Sequence, residues 1–208
     1  MLKERENSVS FKTVKRICAA TLLLCLMLVM TACSGDGDDP YVSPFDGRDL
    51  ADLSGYESMG DYDGDTMLVL TTMDEVDELM ENDESFAVMF SYENCPYCNL
   101  LMPYVNEAAA EAGVRVGYID TRSNPEWMSN MDIDDYDKVV DRFGRYLSED
   151  DDGKEHLYTP DMYFIKNGRV KARHDGVTEG ADDPEQELTS SQEEQLLKDL
   201  AEAFNAVK

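Results

Sequence analysis

The sequence predicts an α/β fold: a central mixed sheet flanked by helices. Two observations predict it. From Thr66 onward, apolar runs of strand length alternate with segments of helical period. Near the end, two strand-like runs are joined by Asn167-Gly168, a dipeptide suited to a two-residue hairpin turn. The expected order is strand, helix, strand, helix, strand, helix, hairpin, helix.

Each element has a local reason. "TMLVLTT" (66–72) is a short apolar strand. "MDEVDELMEN" (73–82) sets Met73, Val76, Leu79 and Met80 on one helical stripe, with Asp74 and Glu75 at its positive end. "SFAVMFSY" (85–92) is a continuous apolar run, as in a strand buried on both faces. "CPYCNLLMPYVNEAAAEAG" (95–113) reads as a helix stopped by Gly113. "VRVGYID" (114–120) is a strand, and "DDYDKVVDRFGRYL" (134–147) is a helix with Tyr136, Val139, Val140, Phe143 and Leu147 inward. "DMYFIKNGRVKARHDG" (161–176) is the hairpin. "TSSQEEQLLKDLAEAFNAV" (189–207) is a closing helix with a Ser/Thr start followed by Glu. Met73, Met80, Met89, Met102 and Met162 fall on apolar faces and belong to the expected core. There are no internal repeats.

The N-terminal third follows different rules. Lys3, Arg5, Lys12, Lys15 and Arg16 precede the apolar run "ICAATLLLCLMLVM", which ends at "TAC". That is the order of an export signal, and the run is short for a bilayer span of about 20 residues. "MTAC" (30–33) resembles the bacterial lipoprotein box, which implies a signal peptide over 1–32 and a lipid on Cys33; the alternative is an uncleaved anchor helix. Either places the remainder outside the cytoplasm, at the outer face of a cell membrane. Residues 33–63 are rich in Gly, Ser, Asp and Pro without a period, so a flexible acidic tether is expected there, with the folded domain at 64–208.

Charge narrows the function. Lys and Arg number 18 against 45 Asp and Glu, a formal net of −27. Nucleic-acid binding needs a basic face and is excluded as a class. The acidic runs "DYDGD", "DIDDYD" and "EDDDG" do not place a glycine and a closing glutamate where a calcium loop needs them, so no metal is expected.

Of the five cysteines, Cys18 and Cys25 lie in the signal and Cys33 takes the lipid, leaving Cys95 and Cys98. A Cys-x-x-Cys pair can hold zinc, close a staple or exchange disulfides. Zinc needs four ligands, and only His156 and His174 are on offer. A staple across so short a loop limits little entropy. Exchange suits the position best. Pro96 fits the first helical turn, so Cys95 starts the helix, where the dipole and free N–H groups lower a thiol pKa.

The strand order, Cys95 and Cys98 opening the long helix, Pro103 five residues on, "YTPDMYFIKNGRV", and Gly168 and Gly176 eight apart together resemble the thioredoxin family over about residues 66–207. The resemblance implies that Cys95 attacks and Cys98 resolves, with Pro96 and Tyr97 beside them as substrate-binding residues. It implies that Pro160 is cis, and that Thr159 and Pro160 line the sulfurs and pair with an extended substrate. His174 falls on the last strand in that register, away from the cysteines. It implies gain or loss of disulfides in exported proteins, an unidentified redox partner and no cofactor; the alternative is a non-catalytic binding or secretion accessory lipoprotein of the same fold. The whole is similar to surface thioredoxin-like lipoproteins of Gram-positive bacteria, including bacteriocin transport accessory proteins.

Three departures stand out. Asn94 replaces the usual aromatic before the first cysteine. Met89 replaces the buried acid six residues before it, so a proton acceptor for Cys98 must be water or another group such as Glu93. Residues 121–158, which include Trp127, enlarge the third-helix region.

Overall fold

Five strands form the central sheet in the order β1-β3-β2-β6-β7. They are β1 (Leu68–Leu70), β2 (Phe86–Ser91), β3 (Val116–Asp120), β6 (Asp161–Lys166) and β7 (Arg169–Asp175). The computed structural model describes residues 40–60, 62, 65–121 and 133–208. The lipidation candidate Cys33, the signal and Trp127 lie outside the described residues. β3 runs parallel to β1 and β2, while β6 runs antiparallel to β2 and β7, so the sheet is mixed.

Side chains alternate across the sheet, as strand geometry requires. Leu68, Ala87, Met89, Val116, Tyr118, Met162 and Phe164 face one layer. That layer holds α2 (Pro96–Ala112) and α4 (Ser190–Asn205). Val69, Phe86, Val88, Phe90, Ile119, Tyr163 and Ile165 face the other, which holds α1 (Met73–Glu81) and α3 (Ile133–Phe143). Of the expected core methionines, 73, 89, 102 and 162 are buried, while Met80 in the last turn of α1 is only partly buried. Thr72 caps α1 by accepting from the Glu75 N–H. Thr189 and Gln192 form a reciprocal capping box on α4, with Gln192 in place of the glutamate expected there. Asn167 and Gly168 both adopt positive φ, 51° and 67°, the conformation a two-residue hairpin turn requires. The hairpin's irregularity falls between Phe164 and Ile165, opposite Val170 and Ala172. Gly176, which the thioredoxin resemblance implies at the bulge, lies outside it. It ends β7, and its N–H donates to the Pro160 carbonyl.

Between α3 and β6 the chain adds a 3-10 turn (Gly144–Tyr146) and a two-stranded ribbon, β4 (Ser148–Glu149) with β5 (Glu155–His156). Nothing in the hydropathy pattern signals this ribbon. Its turn explains the "EDDDG" run: the Asp150 carboxylate accepts from the N–H groups of Asp152 and Lys154, each at 2.9 Å, and these bonds lower its pKa. Among the described residues no group of His, Cys, Asp and Glu is placed to hold a metal ion. Among them, too, no helix is long and apolar enough to cross a membrane.

The tether expected over 33–63 needs correction. The folded unit begins at Tyr41. Residues 41–60 run along the edge strand β1 as a packed strap. The Ala51 N–H donates to the Leu68 carbonyl at 2.8 Å, and the Arg48 guanidinium donates to the Leu70 carbonyl at 2.9 Å. Phe45, Ala51, Leu53, Tyr56 and Met59 are buried. Phe45 lies over Gly117 of β3, where a Cβ would meet the ring at 2.7 Å, so only glycine fits beneath it. The strap shows no periodicity because it follows the contour of a sheet edge and not a helix or a paired strand.

A chain starting at residue 64 loses these buried side chains. Large apolar residues contribute about 1.5–3 kcal/mol each, against a total stability of about 5–15 kcal/mol. It should show no cooperative urea transition by near-UV circular dichroism, while a chain starting at Tyr41 should match the full chain. A sharp transition in the shorter form would show that the strap is dispensable.

Candidate active site

Cys95 is the N-cap of α2 and Pro96 its first residue, as the fixed φ of proline favours. Cys95 and Cys98 are joined as a disulfide, with Cα atoms 5.0 Å apart. The Cys98 N–H donates to Cys95 Sγ at 3.1 Å. A thiolate released at Cys95 on reduction therefore meets a backbone donor and the positive end of a 17-residue helix. Cys95 keeps 3% of its surface exposed and Cys98 none, so Cys95 lies nearer the surface of the two.

The loop before β6 closes over this sulfur. The Thr159 carbonyl oxygen lies 3.6 Å from Cys95 Sγ. The Thr159–Pro160 peptide is cis. Tyr97 joins the same region from the other side: its hydroxyl donates to the Asp182 carbonyl at 2.7 Å. Tyr97, Thr159 and Pro160 line one cleft of about 1180 Å³. The structure thus brings together Cys95, Cys98, Tyr97, Thr159 and Pro160, while Pro96 faces solvent.

A cysteine pair at the start of the helix after β2, with a loop from the antiparallel half of a β1-β3-β2-β6-β7 sheet against it, decides the architecture. The fold is thioredoxin-like. No family model matches the chain. A curated relative, Bloodstream-specific protein 2 of Trypanosoma brucei brucei, is 28% identical over 153 residues, covering 66% of this chain and 29% of that protein. The chain thus spans less than a third of that relative's length. Among solved structures, the thioredoxin of Trypanosoma brucei brucei overlaps with a TM-score of 0.39 at 14% identity, covering 66% of this chain and 91% of that one. The thioredoxin of Aeropyrum pernix gives a TM-score of 0.38 at 19% identity, covering 53% and 76%.

Within this thioredoxin-like frame, Met89 is fully buried where a carboxylate was missing from the sequence. Its register partner Tyr118 supplies a hydroxyl on the same face. The Tyr118 and Ser91 hydroxyls lie 3.0 and 2.8 Å from that of Tyr56, which the strap carries in. Burial pushes the Tyr56 phenol up to about 12 and Tyr118 higher, so both stay protonated. Glu93 is exposed and packs its carboxyl group over Gly55 of the strap. His174 sits on β7, as expected, with its pKa lowered by burial. His156 lies in β5 and is exposed.

One cluster escaped the sequence. Asp161, next to Pro160, is fully buried. Arg173 grips it through Nε at 2.8 Å and through its second guanidinium nitrogen at 3.0 Å, and the Tyr163 hydroxyl donates at 2.7 Å. Burial raises the Asp161 carboxyl to about 6, with the bonds from Arg173 and Tyr163 working against the rise. A charged residue opening an apolar strand was the available signal, since a buried charge needs a partner; that the partner is Arg173 depends on the β6–β7 register.

Because the folded pKa of Asp161 lies above its unfolded value near 4, its ionisation opposes folding as pH rises between the two, and Arg173 offsets that cost. In Arg173→Met the carboxylate stays buried without its cation, so its folded pKa moves up and the opposing window widens. Urea unfolding should show a loss of about 3 kcal/mol at pH 8 and a clearly smaller one at pH 4.5. An equal loss at both pH values would mean that Arg173 acts through packing on Tyr163 and not through charge.

Proposed function

We propose that the chain is a thiol–disulfide oxidoreductase, held at the outer face of a membrane by a lipid on Cys33 and exchanging disulfides with exported proteins. The observation that carries the chemistry is the Cys95–Cys98 pair at the start of α2, with Cys98 N–H on Cys95 Sγ and Cys95 nearer the surface than Cys98. In the reduced form the Cys95 thiolate attacks one sulfur of a substrate disulfide. The other substrate sulfur leaves as a thiolate and takes up a proton. Cys98, losing its own proton, then attacks Cys95 Sγ, closes the Cys95–Cys98 bond and releases the second substrate thiol. Two electrons pass to the substrate. The same steps run backward oxidise a dithiol, and the pair's potential against its partner's sets the direction. Tyr97, Thr159 and Pro160 would hold the substrate segment beside Cys95.

In the full chain, Cys95→Ser should abolish turnover with insulin as substrate, and Cys98→Ser should accumulate mixed disulfides with exported proteins on non-reducing gels. Undiminished turnover in Cys95→Ser would falsify the mechanism. Absence of adducts from Cys98→Ser would instead favour a binding module.

The membrane assignment is supported by the basic stretch, the short apolar run and "MTAC". Only residues 34–40 separate Cys33 from the packed strap, a span of at most about 25 Å fully extended. Metabolic labelling with palmitate should mark the wild-type chain and not Cys33→Ala; equal labelling of both, or of neither, removes Cys33 as the anchor.

A further inference from the structure

The cleft lined by Tyr97, Thr159 and Pro160 begins beside the cysteine pair, with Thr159 against Cys95 Sγ, and its chemistry is one-sided. Its walls carry Glu149 from β4, Asp175 from β7, Glu179 and Asp182 from the following loop, and Asp199 from α4. Five carboxylates thus come from four separate parts of the chain and converge on one cleft. Against them stand Arg173 and His174. Arg173 is committed to Asp161, and its remaining reach goes to Asp175 at 3.3 Å. Burial holds His174 below the usual imidazole range, which leaves it neutral. Its Nε2 is buried and has no hydrogen-bond partner among the described residues.

A second feature points to the same ligand. Tyr158, directly before the Thr159–Pro160 loop, is 52% exposed, one of the few large apolar side chains left open among the described residues. His156 packs beside it with ring centroids 4.5 Å apart, so the phenol is braced at the mouth of the cleft. Tyr97 lines the same cleft, pinned to the acidic loop through its bond to the Asp182 carbonyl. Open aromatic rings among carboxylates suit the ammonium and guanidinium groups of Lys and Arg, which gain from ring faces and from negative charge together.

We infer that this cleft recognises cationic stretches of polypeptide, so that exchange at Cys95 favours cysteines flanked by Lys or Arg. The inference rests on the oxidoreductase reading of the same site. An extended segment whose cysteine meets Cys95 beside Thr159 runs on past Tyr97 and Tyr158 into the carboxylates. Acidic walls also focus the field and raise the encounter rate of cationic chains, an effect that salt removes. Acidic substrates are repelled by the same walls.

The test uses the full chain with Cys18, Cys25, Cys33 and Cys98 replaced by Ala, which leaves Cys95 as the only thiol. Its substrates are short synthetic peptides with one central cysteine activated as the thionitrobenzoate disulfide and flanked by Lys or by Glu. The Cys95 thiolate bonds to the peptide sulfur and thionitrobenzoate leaves, so release is read by absorbance. The Lys-flanked peptide should react at least about tenfold faster at low salt, and the gap should close near 1 M salt. Glu149→Gln with Glu179→Gln and Asp182→Asn should cut the gap to about threefold or less. Glu78→Gln with Glu107→Gln and Glu111→Gln removes as much charge from exposed positions outside the cleft and should leave the gap intact. Urea midpoints check that each variant is folded. Equal rates for the two peptides, or an equal effect of both triple variants, overturns the inference while leaving the oxidoreductase reading standing. Release from neither peptide overturns that reading instead. In that case anisotropy of a labelled Lys-flanked peptide with Ser for Cys still decides the groove: it binds the parent more tightly than the cleft variant, or the groove assignment fails.

Discussion

The register between β2 and β6 is the constraint on which the site depends. Phe90 pairs with Asp161, so the end of β2 and the loop before β6 emerge at the same edge of the sheet. Cys95 follows four residues after Ser91, and Thr159 stands two before Asp161. A slip by one residue would turn Met162 and Phe164 away from the α2–α4 layer and carry the loop off the sulfurs. The register is held from behind as well. Gly176 at the end of β7 donates to the Pro160 carbonyl, and Arg173 on β7 clamps Asp161. β7 is half exposed and looks like a minor edge strand, yet it braces the loop that meets the redox pair.

The charge balance reads differently once the cations are placed. Arg48 pairs with Glu75, Arg142 with Asp77 and Glu81, and Arg173 with Asp161 and Asp175. These arginines tie the strap to α1, α3 to α1, and β7 to β6. The exposed pairs contribute little individually, about 0–1 kcal/mol; the buried one matters because losing its cation would strand a charge. With the arginines spent on internal joints, the acid surplus is left on the surface, and part of it converges on the cleft beside Tyr97.

What the sequence disclosed was what local spacing can carry. The Cys95–Cys98 interval, Pro96 after the first cysteine, the Thr159-Pro160 step and the Asn167-Gly168 turn each depend on neighbours a few residues away. The alternating and continuous apolar runs likewise placed all five sheet strands. Features that depend on partners far along the chain were not legible. Asp161 and Arg173 are twelve residues apart and meet only through a bulged hairpin. Phe45, Leu53, Tyr56 and Met59 have neither period, because the sheet edge dictates their spacing, so a composition of Gly, Ser, Asp and Pro suggested a tether. Asp150 sits in an acidic run that matches no calcium loop, and its use as a turn former shows only in its bonds to the Asp152 and Lys154 N–H groups.

The strap does more than lengthen the core. Tyr56 carries its hydroxyl to Ser91 and Tyr118, next to the apolar Met89, in a region where the thioredoxin resemblance implies a carboxylate. Gly55 receives the Glu93 side chain, and any Cβ there would collide with it. The Ser58 N–H reaches the Asn99 side chain at 3.5 Å, while the Asn99 amide donates to the Glu93 and Cys95 carbonyls that shape the turn into α2. The strap therefore reaches residues on either side of the cysteines, and its Tyr56 and Met59 share a buried apolar cluster with them. Burial keeps the Tyr56 and Tyr118 hydroxyls protonated, so the cluster adds hydrogen-bonding groups to the core without adding a charge. Through these hydroxyls and through Asn99, the packing of residues 41–60 shapes the end of β2 and the turn into α2 as well as the stability of the sheet edge.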